Sequence, residues 1–309
     1  MKLYQAPLEG ITGYVYRSAY HKYYDGADRY FTPFLVGPNF SSKEKNDISP
    51  DNNAGTDTVP QILSNNSEEF ISMANTLYDI YSYEEVNLNL GCPSGTVVSK
   101  HRGSGFLKVL DELDRFLEEV YTQSKPKISI KTRIGVENAD NWDKIIELYN
   151  RYPLSELIIH PRFQKQGYGG KPDYDAFLFA VNNCKHDLIY NGDINSIDDY
   201  QQIGAHFPTI KGVMCGRGLL AKPWLLNELK GDDFDDSQIT LLKFTDEIYR
   251  NYKDIMYGER PVMFKMKELW NFMAPNFPDA KKLLKQIRKC EKCVQYDNVI
   301  TTIKANSKP

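Results

Sequence analysis

The sequence has no long apolar run. Its 309 residues contain no uninterrupted apolar stretch near the roughly 18 residues that a membrane-spanning helix needs, so no membrane partner is expected. The chain opens Met1-Lys2-Leu3-Tyr4-Gln5 and turns polar at once, without the apolar core of a secretory signal. Cysteine is scarce: five residues, an odd count without paired spacing, argue against a disulfide framework and for a reducing cytoplasm. Strong net charge is also missing. At −3 the chain does not advertise nucleic acid as a partner. Internal repeats and long low-complexity tracts are absent too.

What is present is ordinary in amount and uneven in place. Hydrophobic residues at 41% and charged residues at 26% suit a globular chain long enough for one large and one smaller domain. Residues 1–242 hold 24 Lys and Arg against 33 Asp and Glu; residues 243–309 hold 14 against 8. A basic end on an acidic body is either a solvated helical face or a docking surface for phosphates.

Up to about residue 230, β-rich runs alternate with helical patterns. Strands are expected at 3–6, 31–36, 58–62, 86–90, 127–132, 156–160, 187–191 and 212–215. Apolar spacing of 3.6 residues predicts helices at 68–81, 110–121, 142–152 and 197–206. Eight strands separated by helices predict a (β/α)8 TIM barrel, although periodicity alone also allows an open doubly wound sheet. Residues 37–57, rich in Asn, Ser, Asp and Pro, read as loop. The acidic stretch 231–236 reads as a linker, so the boundaries expected are a barrel over 1–235 and a small C-terminal helical domain over 236–309. Helices are expected there at 241–257, 263–272 and 280–294, the last rich in lysine.

Function in such a barrel collects at the C-terminal strand ends. Those ends read Ala6-Pro7-Leu8-Glu9-Gly10, Pro60-Gln61, Asn89-Leu90-Gly91-Cys92-Pro93, Lys131-Thr132-Arg133, His160-Pro161-Arg162, Asn191-Gly192-Asp193 and Cys215-Gly216-Arg217. The last two suit a phosphate, because glycine admits an anion close to the backbone. His160 and Arg217 add side-chain donors. Each glycine turn alone reads first as a strand-to-helix connection; two together favour a phosphate-bearing cofactor.

These motifs, in this order, resemble the tRNA-dihydrouridine synthases. The stretch Asn89-Leu90-Gly91-Cys92-Pro93-Ser94-Gly95-Thr96-Val97, then Gly103-Ser104-Gly105-Phe106-Leu107, looks like that family's signature. Ala6-Pro7-Leu8-Glu9-Gly10-Ile11-Thr12 with Arg17 resembles its first strand and loop. The resemblance covers roughly residues 1–230, and the helical tail fits the family's second domain. It implies FMN as cofactor, NADPH or NADH as reductant and tRNA as partner. It places Pro7, Leu8 and Glu9 beside the flavin, Gln61 and Lys131 on its ring, and His160, Asn191, Gly192, Asp193, Gly216 and Arg217 around its phosphate. Cys92 becomes the proton donor, with Asn89, Lys100 and Arg102 toward the substrate. Leu8, Asn87 and Gly105-Phe106 depart from the family pattern, which bears on the uridine position rather than the reaction.

The chemistry matches the residue types. Hydride addition at C6 of uracil leaves an enolate that needs a proton at C5, and a thiol with its ordinary pKa of about 8.5 holds one at neutral pH. Glycines in 94–105 suggest a mobile lid. Arg133 and Arg162 suit either RNA or cofactor contact, or internal ion pairs. Cys290-Glu291-Lys292-Cys293 lacks the four ligands of a structural zinc site and reads as two cysteines on a helix face, so no metal is expected. A monomer is the default. Two other readings stay open: an FMN barrel that reduces a free pyrimidine or enone, and a non-catalytic RNA-binding barrel.

Overall fold

The computed structural model describes residues 1–306. Its strands are β1 (Lys2–Gln5), β2 (Tyr30–Phe31), β3 (Thr58–Val59), β4 (Gln61–Ile62), β5 (Glu85–Leu90), β6 (Lys127–Arg133), β7 (Leu157–His160), β8 (Leu188–Tyr190) and β9 (Gly212–Cys215). Seven form one parallel sheet in the order β1-β9-β8-β7-β6-β5-β4, and β2 pairs with β3 in parallel. Pro60 lacks an N–H, and it divides what is otherwise one passage of chain into β3 and β4.

The two sheets join into a ring. On one side the Gln5 N–H donates to the Arg29 carbonyl (2.9 Å) and the Asp28 N–H to the Leu3 carbonyl (2.8 Å). On the other, the Thr32 N–H reaches the Val59 carbonyl (3.2 Å) and the Leu35 N–H the Gln61 carbonyl (2.8 Å). Eight strand positions therefore close on themselves and leave no free edge. This is the expected barrel, and closure excludes the open sheet. Tyr4, Ala6, Phe31, Val59, Ile158, Ile189 and Met214 cluster as its filling, and a larger core packs between the strands and the helices.

Local sequence sets the helix starts. Asn66, Asp173, Ser196 and Ser237 each accept a backbone N–H three residues on, at the heads of the helices Ser67–Tyr81, Tyr174–Asn183, Ile197–His206 and Gln238–Ile255. Residues 37–57 are not all loop. Ser41 and Glu44 make a reciprocal capping box, and the helix Ser42–Ile48 follows.

The tail is helical as expected, but its last element divides. Helices Glu259–Met273 and Ala280–Lys289 are followed by a break and then by Cys293–Asn306. Cys290 and Cys293 straddle that break, both buried, so they do not share a helix face. The tail packs on the barrel through Phe244, whose ring meets Tyr16 at 5.5 Å and Tyr24 at 5.3 Å. Truncation of such a buried ring to alanine costs about 3–5 kcal/mol. The last three residues of the expected 236–309 segment lie outside the described residues. Among the described residues, no helix is long and apolar enough to cross a membrane.

Candidate active site

A cleft of about 910 Å³, partly open to solvent, lies at the C-terminal strand ends. Pro7, Leu8, Glu9, Gln61, Asn89 and Cys92 line one part, and Lys131, His160, Asn191, Gly192, Asp193, Gly216 and Arg217 line the rest. Lys100 and Arg102 do not. Lys100 is exposed outside it. Arg102 turns inward to Glu69 (3.2 Å) and Asn65 (3.1 Å), since a half-buried guanidinium needs a partner. Pro33, Phe34, Arg133, Tyr168 and Asn195 also line the cleft, with Ala6, Gly91 and Pro93.

The first rim loop is held from several directions. The Leu8 N–H donates to Thr12 Oγ1 (2.7 Å), and the Thr12 N–H returns to the Leu8 carbonyl (3.0 Å). Gly10 adopts φ +81°, a left-handed turn that favours glycine. Lys265, from the tail, donates to the Gly10 carbonyl. Lys43 pairs with Glu9 at 3.2 Å. The buried Arg17 ties the loop to residues 47–53 through the carbonyls of Thr12 (2.9 Å) and Asp47 (2.6 Å) and through Asn53 Oδ1 (2.8 Å).

Cys92 sits in a turn that Asn89 organises. Asn89 Oδ1 accepts the backbone N–H of Gly91 (3.0 Å) and of Cys92 (2.9 Å), and its Nδ2 donates to Gln61 Oε1 (2.7 Å). Burial pushes the Cys92 thiol above the ordinary thiol range, outweighing a backbone hydrogen bond from Ser94 and the nearby Arg133. The end of the following segment is packed down, while Ser94–Thr96 and Ser99–His101 are exposed. Residues 103–107 are buried, and Ser104 Oγ donates to the Cys92 carbonyl (2.8 Å). A Cβ on Gly105 would stand 2.8 Å from the Val98 carbonyl oxygen, so that glycine permits close packing rather than motion.

Cations dominate the adjoining wall, since Lys131 stands directly across the ladder from Asn89. Burial, with Arg133 adding to it, drives Lys131 down to about 7, and no carboxylate pairs with it among the described residues. Arg133 is brought down to about 10 by burial. Its Nε donates to the Gly91 carbonyl (3.0 Å) and its Nη1 to the Phe163 carbonyl (3.2 Å). Arg162 instead makes the internal pair, with Asp193, and also donates to the carbonyls of Gly169 (3.1 Å) and Gly170 (2.6 Å). Asp193 is shared with Arg217 at 3.0 Å. His160 is buried beside Arg162 (3.0 Å). Burial and four surrounding cations hold it neutral, well below its ordinary range. Tyr168, half exposed on a loop with three glycines, lies 4.5 Å from the Arg217 guanidinium. That glycine-rich setting of one aromatic was its only sequence signal.

The two phosphate-type loops pack backbone on backbone. Asn191 Nδ2 donates to the Met214 carbonyl (2.8 Å). A Cβ on Gly218 would stand 2.3 Å from the Ile194 carbonyl oxygen, so only glycine permits this approach. Lys131, Arg133 and Arg217 line the cleft with two carboxylates, Glu9 and Asp193, and the buried Arg162 backs Asp193. The cleft thus has surplus positive charge, a protonated thiol and close-packed glycine loops. It can hold an anion, stabilise negative charge developing nearby and donate one proton.

A family model described as Dihydrouridine synthase (Dus) matches residues 4–307. The chain is 26% identical over 239 residues to tRNA-dihydrouridine synthase B of Pasteurella multocida, covering 74% of this chain and 69% of that one. It is 28% identical over 185 residues to a probable tRNA-dihydrouridine synthase of Rickettsia conorii, covering 56% and 54%. Among solved structures, morphinone reductase matches with a TM-score of 0.52 at 12% identity, over 77% of this chain and 88% of that one. Histamine dehydrogenase from Rhizobium sp. 4-9 matches at 0.57 and 11%, over 74% and 45%. At these identities the structural matches speak to the barrel fold alone.

Proposed function

The chain belongs to the dihydrouridine synthase family, and from that premise we propose that it reduces the C5=C6 bond of uridine in tRNA to 5,6-dihydrouridine, using FMN with NADPH or NADH as the reductant. One observation carries the reading: a single cleft joins a thiol that keeps its proton to a wall on which Lys131 and Arg133 have no carboxylate partner among the described residues.

The residues fit FMN. Its phosphate suits Arg217 and the glycine loops at 191–193 and 216–218, and neutral His160 can donate or accept there. Its ring suits Pro7, Leu8 and Glu9 on one side and Gln61 and Lys131 on another. Bound there, FMN supplies the hydride for uracil C6. Cys92 gives its thiol proton to C5: the S–H bond breaks, the C–H bond forms, and the thiolate regains a proton from solvent. Lys131 opposes negative charge on the reduced ring and on the uracil enolate. Asn89 fixes the Cys92 turn and offers an amide hydrogen to the cleft. The base must leave its stack to reach this depth.

The proposed RNA contact is the tail, residues 236–309, with 1–235 as the catalytic barrel. Lys281, Lys282, Lys285, Lys289 and Lys292 are exposed and have no acidic partner among the described residues. They suit phosphates. A monomeric enzyme acting in the cytoplasm completes the proposal. Purified protein given FMN, NADPH and a tRNA transcript should form dihydrouridine, and free uridine should react far more slowly. Equal rates would favour a reductase of free pyrimidines. Protein that binds tRNA but never takes up FMN would favour the non-catalytic reading.

A further inference from the structure

Beneath the cleft, four buried polar side chains run in one line from β6 to the Cys92 turn. Asn87 Nδ2 donates to Ser129 Oγ (2.9 Å), Gln61 Nε2 to Asn87 Oδ1 (2.8 Å), and Asn89 Nδ2 to Gln61 Oε1 (2.7 Å). Asn89 Oδ1 then accepts from the backbone of Gly91 and Cys92. Ser129 and Asn87 are fully buried, Gln61 is 1% exposed and Asn89 7%. Ladder pairing sets the spacing, since Gln61 opposes Asn87 and Asn87 opposes Ser129 across adjacent parallel strands.

The direction of this line is dictated from one end. A backbone N–H can only donate, so Asn89 must show its oxygen to Gly91 and Cys92. Its NH₂ then faces Gln61, which must answer with oxygen. The Gln61 NH₂ faces Asn87, which must do the same, and the Asn87 NH₂ ends on the Ser129 hydroxyl. Reversing any one amide would set donor against donor and acceptor against acceptor in a buried site. Gln61 and Asn89 each keep one amide hydrogen outside the line, and both line the cleft beside Lys131. Asn87 and Ser129 do not line it.

We propose that Asn87 and Ser129 are positioning residues for the flavin site: they lock the Gln61 and Asn89 amides so that this side of the cleft offers only hydrogen-bond donors. Such a surface complements the carbonyl edge of a planar heterocycle and its reduced, anionic form. It would repel the same edge if the amides turned over. The inference rests on the flavin and uridine reading above and adds two residues to it.

The test compares Asn87→Leu, Asn87→Asp and Ser129→Ala. FMN affinity is read by titration of the apoprotein, kcat and KM with a tRNA transcript, and folding by thermal melting. Asn87→Leu removes the acceptor for Gln61. It should weaken FMN binding about tenfold and lower kcat about tenfold at unchanged KM, the effect of one buried hydrogen bond. Asn87→Asp keeps an acceptor for Gln61, and the Ser129 hydroxyl can donate to it. FMN affinity should return to within about threefold of the parent, and the added charge should make the flavin midpoint potential more negative. A folded Asn87→Leu with parental affinity and kcat would overturn the proposal, as would Asn87→Asp no better than Asn87→Leu. Should Asn87→Leu not fold, Ser129→Ala decides: a loss of about threefold in kcat at unchanged KM supports positioning, and parental kcat rejects it. A parent protein that takes up no FMN, or reduces no uridine, would instead sink the functional reading itself.

Discussion

The two ends of the barrel treat positive charge in opposite ways. At the N-terminal end, Arg29 meets Asp57 at 2.8 Å, Glu85 at 3.1 Å and Glu156 at 3.6 Å, and Tyr4 adds a hydrogen bond to Glu156 at 2.8 Å. Those carboxylates outweigh the penalty of burial and hold its guanidinium above the ordinary range. At the C-terminal end, Lys131 and Arg133 have no such company and are driven down to about 7 and about 10. One end has its charges matched within the fold. The other carries a deficit that an anionic ligand would remove. Burial of a charge is costly unless it is paired, so an unpaired set at one end points to a partner from outside.

The largest way to test this contrast acts on the thiol. Cys92→Ala should slow uridine reduction about 10²–10³-fold while FMN titration gives the parental affinity. A variant as fast as the parent would remove Cys92 from the chemistry. The matched end should answer in stability instead. Arg29→Met leaves three carboxylates facing one another and should cost about 2–4 kcal/mol in urea denaturation, with little change in kcat of the folded fraction. That deficit should shrink in acid, as the carboxylates protonate.

Lys131→Met should do the reverse. FMN binding should weaken about tenfold, and the apoprotein should melt a few degrees higher. The sign follows from the shift. Lys131 titrates lower in the folded chain than in the unfolded one, so the parent loses stability as pH falls from the ordinary lysine range to about 7 and is flat below. The stabilisation by methionine should be full below about 7 and vanish toward the ordinary lysine value. By the same linkage, FMN affinity of the parent should fall severalfold from about pH 7 to about pH 9, with proton uptake on binding at the alkaline end, measured by calorimetry in two buffers. The exposed tail sharpens the contrast from a third side. Replacing Lys282, Lys285 and Lys289 by Gln should lower the salt dependence of tRNA binding by roughly 2–3 in log–log slope and leave FMN affinity alone.

Much of this was legible in the sequence, for reasons that differ by element. The limits of Gly212–Cys215 and Ile197–His206 match expectation because a bounded β run and a capped apolar period mark them. The stretch expected at 31–36 is regular ladder only at Tyr30–Phe31 and pairs again in a single bridge at Leu35, since Pro33 between them has no N–H to give. The helix Ser42–Ile48 is concealed by polar composition, although Ser41 and Glu44 spell its cap. The cleft residues follow from strand ends, because a parallel barrel puts all those ends on one face. Arg102 escaped, and Arg162 stayed open between its two readings until the pair with Asp193 decided it, because charge type alone does not tell a phosphate contact from an internal pair. The Arg29 cluster escaped for a further reason: its acids stand 28 to 127 positions along the chain, and only barrel closure brings them together.

The bond from Lys265 to the Gly10 carbonyl makes the molecule a caliper. One jaw is the lysine face of the tail and the other is the mouth of the cleft, and the span between them is set by a fastening at the rim itself. Under the function proposed above, RNA held by the first jaw would offer the second only what lies at that span, and choice among uridines would become a matter of distance in a folded substrate. A shift of the fastening by one helical turn would change which nucleotide is within reach.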